Sequence, residues 1–115
     1  MTRPIKVVPE TAGTTQQDDS TNTAQNLPDG VLYKDGDSSN IANANKCSAV
    51  FITCEDNPIR YAFNTDPTND SGTGLGHILA AGEAIRLASF DEATNFKFIS
   101  QVAGSHGTLQ MTAEY

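Results

Sequence analysis

Large apolar side chains crowd into one part of this chain, and there they come in short runs broken by turn residues. Residues 47–115 hold 30 apolar residues, whereas residues 1–46 hold 13. From Thr11 to Asn26 the run TAGTTQQDDSTNTAQN carries no apolar side chain larger than Ala12 and Ala24. Such a run buries too little surface to offset the entropy of ordering it. The distribution predicts an extended N-terminal arm and linker over 1–46, and a folded module over 47–115. A module of that size is marginal alone. It implies support from neighbouring copies, a disulfide or a partner surface.

The module reads as strands. CSAVFITC, from Cys47, is rich in β-branched and aromatic residues and apolar on both faces, as in a strand buried on both sides. Glu55 to Pro58 is a turn, and Ile59, Tyr61 and Phe63 then alternate with Arg60, Ala62 and Asn64. Residues 64–76 form a long loop dense in turn residues. His77 to Leu79 is a short strand candidate, and Ile85 and Leu87 alternate with Arg86. Asp91 to Thr94 suits one helical turn or a bend. Phe96 and Phe98 alternate with Lys97, and residues 103–107, AGSHG, suit a hairpin loop. The last strand places Leu109, Met111, Ala113 and Tyr115 on one face. In the arm, Leu27 to Gly30 is a turn signal and Val31 to Tyr33 a strand-like triplet. The expected fold is all-β, a small antiparallel sandwich or barrel of about six short strands with an extended N-terminal arm.

Charge narrows the function. The net charge is −7, with −2 in residues 1–46 and −5 in residues 47–115. Seven basic residues spread singly offer no phosphate-tracking surface, so no nucleic-acid partner is expected. An acidic module does not dock on anionic lipid, and no apolar run approaches a spanning helix, so no membrane partner is expected. The start, MTRPIKVVPE, lacks the apolar stretch of a secretory signal. The expectation is synthesis in a cytoplasm, with Cys47 and Cys54 as reduced thiols.

No motif carries catalysis or a cofactor. Cys47 and Cys54 are seven residues apart, so one regular strand would separate them by more than about 20 Å and point them to opposite faces. With two histidines beside them the set is poor for structural zinc, and buried inert thiols are expected. His77 and His106 sit beside glycines with no matching nucleophile motif and read as loop surface. Asp35 to Asn40, DGDSSN, resembles the start of a calcium loop, but Asn40 stands where glycine is needed and Lys46 where glutamate is needed. The 64–71 loop, with Asn64, Asp66, Asp70 and Ser71, is no better a cation site. GTGLG at 72–76 lacks the lysine and spacing of a phosphate loop. Arg60 and Arg86 read as outward, solvated positions. The expected catalytic, cofactor and metal sets are empty.

One segment suits partner binding. Pro4, Ile5, Val7, Val8 and Pro9 form an apolar clip between two prolines. An extended clip of this kind can add a strand to a neighbour's open sheet edge. The competing reading is a frayed terminus.

The module also resembles a class of small β-sandwich structural proteins of tailed-bacteriophage virions. The residues that carry the resemblance are NPIRY at 57–61, TDPT at 65–68 with its Gly-rich loop, GHIL at 76–79 and AGE at 81–83. IRL at 85–87, FKFIS at 96–100 and LQMT at 109–112 continue it. It spans residues 48–115 and leaves the arm outside. It implies a non-enzymatic protein of the virion, made in the host bacterial cytoplasm, and brings no catalytic residues. The first expectation is a capsid decoration or cement protein that fastens neighbouring subunits through its arm. Its partners would be other virion proteins (the major capsid protein, or proteins near the neck and portal) and further copies of itself in a homo-oligomer. A neck, collar or head–tail joining component is the alternative. A soluble adhesion or carbohydrate-binding module is a second alternative, weakened by the absence of tryptophan.

Overall fold

The C-terminal strand shows how the sheets are built. In the computed structural model, which describes residues 12–70 and 73–115, strand β8 spans Thr108–Glu114. Leu109, Met111 and Ala113 are buried and the residues between them half-buried, as their alternation requires. Tyr115 packs against the core beyond them. Seven further strands precede it: β1 Gln16–Asp19, β2 Gln25–Asn26, β3 Ala49–Glu55, β4 Ile59–Phe63, β5 His77–Leu79, β6 Ala84–Leu87 and β7 Phe96–Ser100. Helix α1 spans Asp29–Leu32 and helix α2 Phe90–Asn95, with a 3-10 turn at Asn43–Asn45.

The strands form two four-stranded antiparallel sheets, ordered β1-β8-β3-β6 and β2-β7-β4-β5. Within them β1 pairs with β8, β2 with β7, β3 with β6 and β4 with β5. That is one long antiparallel ribbon, folded at the 64–76 loop and rolled into two layers: a jelly roll. The expected all-β sandwich is therefore the fold. Val50, Ile52, Leu109 and Met111 from one sheet join Ile59, Leu79, Phe96 and Phe98 from the other in a single core.

Four expectations need correction. Residues 12–46 do not lie outside the sandwich as an arm or linker. Gln16–Asp19 pairs with β8 from Met111 to Thr108, and Gln25 and Asn26 pair with Phe98 and Lys97. Leu27, Val31 and Leu32 belong to the core, at 2%, 1% and 5% exposure. An edge strand is held by its backbone ladder and by a neighbour's apolar face, so a polar sequence can fill it. Val31 to Tyr33 is not a strand triplet. The Pro28 carbonyl accepts from the N–H groups of Val31 and Leu32 at 2.9 and 3.1 Å, closing one helical turn that buries both side chains.

The other two corrections concern the module. CSAVFITC is not buried on both faces. In β3, Val50, Ile52 and Cys54 point inward while Phe51 is 48% exposed, because nothing among the described residues covers the outer side of this sheet there. Residues 103–107 do not close a hairpin, because β7 and β8 belong to different sheets and the loop passes between layers. The expected turn at 91–94 is α2. Ser89 accepts from Glu92 N–H at 3.1 Å and Glu92 accepts from Ala88 N–H at 3.0 Å, a reciprocal N-terminal cap.

Candidate functional site

Pro4, Ile5, Val7, Val8 and Pro9 lie outside the described residues. What the structure places is the root from which they emerge. Ala12 bridges to Glu114, the last residue of β8. Gly13 N–H donates to the Ala113 carbonyl at 2.8 Å, and the Thr15 and Thr112 hydroxyls meet at 2.7 Å. The Tyr115 ring packs so closely on Gly13 that a Cβ there would stand 2.8 Å from Cε2. The Tyr115 hydroxyl donates to the Val31 carbonyl at 2.7 Å. Burial, with a smaller contribution from Cys47, raises its pKa above the ordinary phenol value. Ala12 and Gly13 are thus pinned opposite the end of β8.

The open edges lie at the ends of each sheet. Beside β5 the long loop folds back as a flap over the outer face of its sheet. Lys97 Nζ pairs with Asp66 Oδ1 at 3.0 Å, Arg60 Nη1 donates to the Gly76 carbonyl at 3.1 Å, and Pro67 is fully buried. Thr68 N–H donates to the Leu75 carbonyl and Leu75 N–H to the Thr68 hydroxyl, at 3.1 and 2.8 Å. Gly74 is required where the flap closes: a Cβ there would stand 2.2 Å from the Thr68 carbonyl oxygen and 2.9 Å from Arg60 Nε. Ala62 and Ile99 point to this outer face and are nonetheless buried. Arg60 is therefore half-covered rather than solvated as expected, and its Nε has no partner among the described residues. Arg86 stays exposed and pairs with Glu114 at 3.0 Å. Leu75 in the flap and Ile78 on β5 are 53% and 49% exposed.

One polar cluster was invisible to sequence reasoning. Ser20 and Ser100, both buried, share a 2.7 Å hydrogen bond between hydroxyls, and Ser100 Oγ meets His106 Nδ1 at 2.8 Å. Gly107 N–H donates to Ser20 Oγ at 2.8 Å. Both hydroxyl protons find acceptors if Ser20 donates to Ser100 and Ser100 to His106 Nδ1. Neither hydroxyl is accessible to a substrate, so the cluster fastens the β1–β2 turn to the β7–β8 loop rather than performing acyl transfer. Only pairing across 80 residues brings Ser20 to Ser100, and no local motif signals it. His77 is exposed on β5, 5.4 Å from the Tyr61 ring.

Cys47 and Cys54 are free and buried. Desolvation pushes the Cys47 thiol up to about 11, and it raises Cys54 too, with Asp56, Glu55 and Glu83 adding repulsion. Elevated thiol pKa values leave little thiolate for chemistry. In the DGDSSN loop the carboxylates are engaged by the loop itself. Asp35 accepts from Asn40 Nδ2 and Asp37 N–H, which lowers its pKa, and Asp37 accepts from Ser39 N–H and Oγ. Among the described residues no three His, Cys, Asp or Glu side chains are grouped to hold a metal ion. Among the described residues no helix is long and apolar enough to cross a membrane. Among the described residues the large apolar side chains that stay exposed are Ile41, Phe51, Phe63, Leu75, Ile78 and Val102, and of these Ile78 lies on the terminal strand of a sheet.

No family model, curated protein or solved structure matches the chain.

Proposed function

We propose that this chain is a non-enzymatic structural protein of a tailed-phage virion, a capsid decoration protein that fastens neighbouring subunits through residues 4–9. The observation that carries the reading is how firmly the chain is held where the apolar segment joins the described residues. Ala12 pairs with Glu114, the last residue of β8, and the Tyr115 ring packs on Gly13, so a segment attached there is anchored to the sandwich. An apolar segment beyond that point suits binding to another molecule. The jelly roll adds support, since capsid and lectin domains both use it, although fold alone does not assign function. The resemblance over residues 48–115 tips the balance toward the virion. A carbohydrate platform has less support: the exposed rings Phe51 and Phe63 stand on different sheets. The partners are other virion proteins and further copies of the chain.

The test is a truncation that starts the chain at Ala12. It leaves every described strand intact, so the melting transition should stay within a few degrees of the full chain. Loading onto particles should fall sharply. Full occupancy by the truncated chain would sink the fastening role. Particles that carry it in a single ring at the neck would replace decoration with the joining role.

A further inference from the structure

We propose that residues 5–8 of one copy add as a strand to the open edge of β5 in a second copy, so that the protein links to itself. This rests on the reading of residues 4–9 as a fastening segment, and it names the surface and the partner.

The edge is suited to an added strand. β5 ends its sheet, with β4 as its neighbour among the described residues. It therefore presents unpaired main-chain groups on its outer side. Protein edges of this kind are normally blunted with charge. Here Ile78, in the middle of β5, is 49% exposed, and Leu75 beside it 53%. The other edge on the same side of the molecule, β6, carries Arg86, already paired with Glu114.

The incoming segment fits that edge in length, and its net charge is opposite to that of the body. Pro4 and Pro9 lack backbone N–H groups and so bound a four-residue strand, Ile5 to Val8, against the three residues of β5. Residues 1–11 carry Arg3 and Lys6 against Glu10, a net +1. Residues 12–115 carry five basic and thirteen acidic residues, a net −8, and the two sum to the −7 of the whole chain. The segment is thus electrostatically matched to the body of another copy.

The segment cannot reach this edge within its own chain. Short links join β1 to β2, β3 to β4 and β5 to β6, so each pair stacks across the two layers. Ala12 lies in the β1 column. A strand outside β5 lies four strand spacings away, about 19 Å, and one layer across, about 10 Å. The three steps from Pro9 to Ala12 span about 10 Å at full extension. A second copy meets no such limit.

Sedimentation of the full chain over a concentration series tests this. The full chain should self-associate, and more weakly as salt rises. Starting the chain at Ala12 should abolish association. Ile78→Lys, on an exposed side chain, should leave melting unchanged and weaken association by about tenfold or more. Mixing the truncated chain, which keeps its edge, with the Ile78→Lys chain, which keeps its segment, should restore a heterodimer from two monomers. A full chain that stays monomeric, a truncated chain that associates as the full one does, or a mixture that stays monomeric would each overturn the proposal. A monomeric full chain whose truncation still loses particle loading leaves the fastening role standing, with residues 4–9 bound to a different virion protein.

Discussion

At the residue scale, the Ser20–Ser100–His106 cluster is the polar feature with most at stake. Buried hydroxyls add little net stability when paired and cost a desolvation penalty when one partner is lost. Ser100→Ala removes the central member, leaving the Ser20 hydroxyl and His106 Nδ1 without their shared partner. We expect a loss of about 1–3 kcal/mol by urea unfolding, with an unchanged denaturant slope. Ser48 is the control. Its hydroxyl donates to the Glu114 carbonyl at 3.2 Å from an exposed position, and Ser48→Ala should stay within about 0.5 kcal/mol of the parent. Equal effects at the two serines would mean that the buried cluster does not hold the loops.

At the element scale, the role of residues 12–46 separates two truncations. Removing residues 1–26 deletes β1 and β2 as well as the segment before them. It uncovers the edges of β8 and β7, and it removes the Ser100 N–H bond to the Thr21 carbonyl at 2.9 Å together with Ser20 itself. This shorter chain should melt broadly and without cooperativity in calorimetry, unlike the chain that starts at Ala12. A sharp transition near the parent temperature would mean that β1 and β2 are dispensable. The contrast also marks how far the sequence could be read. The alternation of β8 and the helical turn at 91–94 were legible, since each is a local pattern of side chains. Gln16–Asp19 was not, because composition reports side-chain burial while an edge strand is held by its main chain. The outward face of Phe51 and the crossing path of residues 103–107 were hidden for a related reason: each depends on which sheet a strand joins. In the site, the clip at residues 4–9 could be named from its prolines and apolar residues. The edge that would receive it could not: His77 to Leu79 reads as a short strand, but its place at the end of a sheet depends on pairing that no local pattern shows.

At the scale of the whole molecule, the two thiols report on the core as a unit. Cys47 and Cys54 are each 1% exposed, one just before β3 and the other near its far end. A disulfide reagent attacks through the thiolate and needs access, and burial denies both. At pH 8 both should react slowly and at one shared rate set by opening of the whole core, and at once in denaturant. The alkaline limb has a defined sign. Cys47 is raised from 9.0 to about 11, so its neutral form is favoured by the fold. Its contribution to stability is complete below pH 9 and is lost as pH rises through about 11, because the unfolded chain ionises first. Unfolding free energy should therefore fall between those values, and less steeply in Cys47→Ala measured against its own value at pH 8. If one thiol reacts much faster than the other in the native protein, the core opens in parts, and the two layers joined by this rolled ribbon are not a single cooperative unit.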